Sequence, residues 1–134
     1  MREFRIVVVA HGDLAMALVG AATLICGQLD DVHAVGLFPD DAPETLSDRL
    51  LSVVGDSDDA VLVLADLAGG TPHNVALVAM RRLPRARLIS GVNLAVLLEA
   101  AMGAGVLDDA LVERLVTGGR AALVDAGRLL ATKA

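Results

Sequence analysis

Two uninterrupted apolar runs stand out along the chain, Ile6–Ala10 and Ala60–Ala65. Both are short and rich in Val, Leu or Ile, and each stops at a polar residue, His11 and Asp66. Such runs read as strands buried on both faces. Two shorter runs, Val32–Leu37 and Arg87–Ser90, complete a set of four strands. Between them lie helical patterns. Leu14–Cys26 is apolar nearly all round and free of proline, and Gly27 is placed to cap its end. Thr45–Val54 puts Leu46, Leu50, Leu51 and Val54 on one face, with Pro43 in the first turn and Asp40 or Asp41 as its cap. Asp56–Asp59 reads as a solvated acidic loop. Gly69-Gly70 makes a turn, Thr71 is placed to N-cap, and a helix runs from Pro72 to about Arg82, closed by Pro84. Gly91-Val92-Asn93 is a turn, Leu94–Met102 a helix, and Leu107–Val116 another after the Gly103–Gly105 break. Thr117-Gly118-Gly119 then interrupts, and the period of Arg120–Leu130 fits helix or strand. The order β-α-β-α-β-α-β-α-α predicts an α/β fold. It is a doubly wound, mostly parallel open sheet with helices on both faces.

Length and composition narrow the class. A chain of 134 residues is expected to form one domain, 1–134, with enough buried surface for a core. Cys26 has no partner for an internal disulfide and reads as a small buried hydrophobe. The apolar run after Arg5 is broken too soon for a signal peptide, and Leu14–Cys26 falls short of the ~20 residues that span a bilayer. A soluble cytoplasmic protein is expected. The formal net charge is −6, and Phe4 and Phe38 are the only aromatics. An acidic chain without aromatic platforms argues against nucleic acid as partner. The all-round apolar first helix calls for cover on more than one side, which in so small a domain implies a partner subunit.

The candidate chemistry comes from the two strong strands. In a doubly wound sheet of order 2-1-3-4 they are neighbours, and the switch point lies between them. Their ends would bring His11 and Asp66 together. A carboxylate on one ring nitrogen fixes the tautomer and leaves the other nitrogen as a nucleophile. Gly12 lets the chain turn and is expected to contribute to phosphate binding, with Asp13 placed to cap the next helix. Gly69, Gly70 and Thr71 place N–H groups at a helix N-terminus, a cradle for phosphate oxygens. Taken singly, each of these residues has a bland reading: packing, turn formation or capping. Their meeting at two adjacent strand ends favours function. His33 reads as structural or surface, and His73 as a solvated histidine at the site's rim. The acid pairs Asp30-Asp31, Asp40-Asp41, Asp58-Asp59 and Asp108-Asp109 read as loop or capping residues. No Cys/His spacing fits zinc, and neither a dinucleotide nor a P-loop motif is present, so no metal or cofactor is expected.

On these residues the chain resembles the IIA component of the mannose family of the bacterial phosphoenolpyruvate-dependent sugar phosphotransferase system. Three blocks carry the resemblance: VVVAHGDLA (Val7–Ala15), ADLAGGTPHN (Ala65–Asn74) and GVNLAVLLEA (Gly91–Ala100). The resemblance implies a phosphocarrier. His11 would take a phosphoryl group on Nε2 from the histidine-phosphocarrier protein and pass it to a IIB partner, which serves membrane IIC and IID subunits. Asp66 would bond Nδ1, and Thr71 would place a hydroxyl near the phosphate. It also implies a homodimer that exchanges an antiparallel edge strand near the C-terminus, which would make part of Arg120–Leu130 a strand. The chain departs from the family pattern at Ala10, Leu67-Ala68, His73 and Ala95.

Two other functions compete with this one. A phosphocarrier serving a dihydroxyacetone-kinase-type acceptor would share the fold and the early histidine. A regulatory module would dock to its target in a phosphorylation-dependent way.

Overall fold

Four parallel strands lie side by side in the order β2-β1-β3-β4 in the computed structural model, which describes residues 1–56 and 58–133. They are β1 (Arg5–His11), β2 (Val32–Leu37), β3 (Val61–Ala65) and β4 (Ala86–Ser90). Ser57, in the expected acidic loop, lies outside the described residues. The expected strand order and parallel pairing are observed, with β1 and β3 at the centre. Arg5 pairs with Val61 and Val9 with Ala65. The central strands are apolar at every interior position because both faces are covered.

Alternation along β1 and β3 sends successive side chains into two cores. Ile6, Val8 and Ala10 join Leu62 and Leu64 against α1 (Leu14–Cys26), α4 (Leu94–Met102) and α5 (Asp109–Ala121). Val7 and Val9 join Val61, Val63 and Ala65 against α2 (Pro43–Val54) and α3 (Thr71–Ala79), through Leu46, Leu50, Val54, Val75 and Ala76. The apolar face read along α2 is the face it buries.

Several local expectations are corrected. Neither Asp40 nor Asp41 caps α2. Ala42 takes that position, and the Asp41 carboxylate instead accepts from the Phe38 N–H at 2.8 Å and pairs with Arg49 at 2.5 Å. Asp13 sits at the N-cap of α1 without a side-chain capping bond. Thr71 is the first residue of α3, with Gly70 at the cap, and α3 tightens into a 3₁₀ turn over Met80–Arg82. Asp108 caps α5 by accepting from the Leu111 N–H at 2.9 Å.

The largest difference lies near the C-terminus. Thr117-Gly118-Gly119 does not interrupt α5, which runs on to Ala121. These glycines serve close packing. A Cβ at Gly119 would overlap Val96 Cγ2 of α4, and one at Gly118 would stand 2.7 Å from Glu99 Oε2. After a break, α6 (Ala126–Lys133) begins where Asp125 Oδ1 accepts from the Arg128 N–H at 3.0 Å. Arg120–Leu130 therefore forms no edge strand in the single chain: it is the end of α5, a turn and a capped helix. Its apolar side chains Leu123, Val124 and Leu130 are exposed. On α1, Leu24 and Ile25 are exposed as well, and Cys26 is partly so. No helix among the described residues is long and apolar enough to cross a membrane.

Candidate functional site

The carboxyl ends of β1 and β3 carry the site. β1 ends with His11 itself, and Asp66 follows β3 directly. Because Val9 and Ala65 are in register, the next residues along both strands leave the sheet side by side. The His11 main-chain N–H donates to Asp66 Oδ2 at 2.9 Å, and His11 Nδ1 lies 2.7 Å from the same oxygen.

The two side chains differ sharply in exposure: 51% for His11 and 10% for Asp66. Burial pushes the Asp66 carboxyl up. The hydrogen bonds from the His11 main chain and ring, with the attraction of the ring's charge, outweigh that and hold it below the ordinary carboxylate range. Asp66 is thus ionised at neutral pH and accepts only, so Nδ1 must carry the proton of this bond. Nε2 is left with its lone pair on a ring half open to solvent. This is the arrangement of an oriented imidazole nucleophile.

The surrounding turns shape the space beside the ring. Gly12 has φ +58°, and its N–H donates to Leu37 O at 2.7 Å. The Gly70 N–H donates to Leu67 O at 3.0 Å. These two donors, expected to face an anion, are therefore already taken. The N–H groups of Gly69 and Thr71, at the start of α3, have no main-chain acceptor among the described residues. Gly70 contributes by what it lacks: a Cβ there would stand 3.3 Å from His11 Cε1 and crowd the ring.

His73 is not the solvated histidine expected. It is half-buried, with Nδ1 2.5 Å from Ser90 Oγ at the end of β4. His33 pairs through Nε2 with Asp31 at 2.8 Å, which agrees with a structural or surface role. Residue-by-residue reading missed the rim. Phe38, beyond the end of β2, is partly exposed, and its ring faces Gly36, where a Cβ would meet both Phe38 Cζ (2.9 Å) and Gly12 O (2.6 Å). The Arg49 guanidinium lies 5.7 Å from the Phe38 ring centroid and donates to Gly36 O at 3.0 Å. Leu67, on the connection that follows β3, and Leu14, at the start of α1, are exposed as well. An aromatic just past a strand that ends at the same sheet edge was the available signal.

Comparison with known proteins identifies the family. The family model EIIA-man, described as PTS system fructose IIA component, matches residues 5–116. The PTS system fructose-specific EIIA component of Bacillus subtilis is 32% identical over 96 residues, covering 70% of this chain and 66% of that protein. The mannose-specific EIIAB component of Escherichia coli (strain K12) is 30% identical over 125 residues, 92% of this chain but 37% of that longer protein. Among solved structures, the mannose/sorbose specific IIA subunit of the phosphotransferase system from Enterococcus faecalis superposes with a TM-score of 0.86. It is 32% identical and covers 92% of this chain and 94% of that one. With the family model spanning β1 through most of α5, the chain belongs to the EIIA-man family of PTS system IIA components.

Proposed function

We propose that this protein is a cytoplasmic phosphocarrier of a sugar phosphotransferase system. His11 Nε2 accepts a phosphoryl group from the phosphorylated histidine-phosphocarrier protein and passes it to a IIB partner. That partner supports coupled sugar uptake and phosphorylation through membrane IIC and IID subunits. The observation that carries this reading is the half-exposed His11 ring held through Nδ1 by the buried, ionised Asp66. A relative that joins A and B units in its name, the Escherichia coli EIIAB component, supports a IIB-type acceptor.

The chemistry balances without further reactants. The Nε2 lone pair forms a bond to phosphorus while the donor's P–N bond breaks, and that electron pair returns to the donor nitrogen. The His11 ring gains positive character as the bond forms, and Asp66 offsets it across 2.7 Å. The N–H groups of Gly69 and Thr71, with the Thr71 hydroxyl, face the phosphoryl oxygens at the α3 N-terminus. Gly12 and Gly70 shape the space. Such a transfer depends on position and charge more than on covalent machinery.

The test is phosphorylation of the purified protein by phosphoenolpyruvate, enzyme I and the histidine-phosphocarrier protein, read by intact mass and phosphorus NMR. One acid-labile phosphoryl group on Nε2, absent in a folded His11→Ala variant, is expected. No incorporation with partners active on another carrier, or full incorporation in His11→Ala, would overturn the proposal.

A further inference from the structure

We propose that the Gly91-Val92-Asn93 turn is the positioning element that aims Asp66 at His11. This rests on the reading of His11 as the phosphoryl acceptor and goes beyond it.

The need for such an element follows from how Asp66 is held. Oδ2 takes both bonds from His11, while Oδ1 is buried with no hydrogen-bond partner among the described residues. Among the described residues, no side chain other than that of His11 bonds the carboxylate. His11 holds Oδ2, and the main chain at Ala65–Asp66 sets the point from which the side chain reaches it.

At that point the main chain is gripped from one side. Ala65 O accepts from the Gly91 N–H and from the Val92 N–H, each at 2.9 Å. The first bond continues the parallel ladder, since Ala65 pairs with Ser90. The second is extra. It requires the chain to turn back at Gly91, which has φ +89°. A Cβ at Gly91 would meet nothing within 4 Å, so glycine is needed there for conformation alone.

Asn93 then locks the turn. Its Oδ1 accepts from the Val96 N–H at 2.9 Å and caps α4, while its Nδ2 donates to Gly119 O of α5 at 2.9 Å. The turn is thus fixed to two helices on one side and to the residue before Asp66 on the other. This assigns a role to the Gly91-Val92-Asn93 segment, which the sequence alone marks only as a turn.

The experiment reads the His11 tautomer by nitrogen NMR on the unphosphorylated protein, together with single-turnover phosphoryl transfer. Wild type should show one tautomer, with the proton on Nδ1. Gly91→Ala strains the turn without a clash. Asn93→Ser keeps the cap but is too short to reach Gly119. Both should populate the second tautomer and slow transfer about tenfold or more at unchanged KM for the donor. Gly91→Asn should lie nearer wild type, because Asn tolerates positive φ. Gly105→Ala imposes the same strain at φ +90° away from the site and should leave the tautomer as in wild type. A single Nδ1–H tautomer in folded Gly91→Ala and Asn93→Ser would overturn the proposal, as would equal mixing in Gly105→Ala. If Gly91→Ala does not fold, Asn93→Ser and Gly91→Asn decide the question. If the tautomer responds but wild type takes no phosphoryl group, the positioning role stands and the phosphocarrier reading falls.

Discussion

Replacing Asp66 with Asn separates orientation from charge. The amide oxygen takes over the position of Oδ2 and still accepts from the His11 main chain and ring, bonds now 2.9 and 2.7 Å long. The opposite rotamer would set an NH2 against two donors, so it is disfavoured. The amide nitrogen then occupies the place of Oδ1, which is already buried without a partner. One unsatisfied atom replaces another, and stability should change by no more than about 1 kcal/mol. Transfer should fare worse. A charge-assisted bond becomes a neutral one, a loss of about 1 kcal/mol before reaction. During transfer the ring becomes cationic, and a unit charge about 4 Å away contributes between about 1 kcal/mol in water and about 4 kcal/mol near a protein surface. The bond weakened before reaction is weakened in reactant and transition state alike and leaves the barrier unchanged; with the ring half exposed, we expect the lost charge to raise the barrier by about 1.5–3 kcal/mol, or about ten- to hundredfold in rate. Single-turnover transfer from labelled histidine-phosphocarrier protein, quenched and counted as acid-labile phosphate, measures the rate. Urea unfolding of the same sample measures stability. A transfer rate within about threefold of wild type would refute the electrostatic role of Asp66. An equal loss in stability would mean that the carboxylate serves the fold rather than the reaction.

Three further outcomes follow from the structure. Gly36→Ala places a methyl 2.6 Å from Gly12 O and 2.9 Å from Phe38 Cζ, and should cost about 1–3 kcal/mol in urea unfolding; an unchanged midpoint would show that the loop yields freely. Gly12→Ala meets no atom within 4 Å but holds φ +58°, so about 1 kcal/mol of conformational strain is expected, and a loss of several kcal/mol would point to an unseen contact. Asp31, Asp41 and Asp66 are all held below the ordinary carboxylate range. Asp31 is pushed up by burial but more strongly down by His33 and Arg5, and Asp41 is pulled down chiefly by Arg49. Their stabilisation is complete above the unfolded-state value near pH 4 and is lost as pH falls through their lower folded values. Urea midpoints should therefore be level around neutrality and drop in acid, and a profile flat down to pH 3 would contradict these pairings.

Much of the fold was legible because its strongest signals are local. Ile6–Ala10 and Val61–Leu64 are apolar at both odd and even positions, which only a strand covered on two faces requires. Leu14–Cys26 and Leu94–Met102 begin and end where their apolar runs do. The meeting of His11 and Asp66 was legible for a different reason. In a parallel sheet every strand ends at the same edge, so strand order alone decides which ends are neighbours. What could not be read depended on distant partners. Gly118 and Gly119 look like a break, yet close packing against Glu99 and Val96 keeps them helical. His73 looks solvated until the packed α3 brings its Nδ1 to Ser90 Oγ at the end of β4. Asp41 looks like a cap, but Arg49, one helical face away, claims its carboxylate.

The four strand-to-helix connections explain why this edge hosts the site. Each contains a residue at positive φ: Gly12 after β1, Asp40 after β2, Gly69 after β3 and Gly91 after β4. A parallel strand must hand over to a helix that runs back across the sheet, and a left-handed residue makes that reversal within a few positions. Three of the four use glycine, and these follow β1, β3 and β4, the strands whose ends build or brace the dyad. The fourth, Asp40, follows the edge strand β2, where an aspartate tolerates the conformation. Short reversals keep the helix starts close to the strand ends. The open N–H groups of Gly69 and Thr71 then lie at the edge where the His11 ring emerges, and the Ala65 carbonyl lies within reach of Val92. At these connections glycine or aspartate stands where the chain must turn sharply, and the turns after β1 and β3 border the ring proposed to take the phosphoryl group. In this molecule the requirement of the fold and the requirement of the chemistry fall on the same positions.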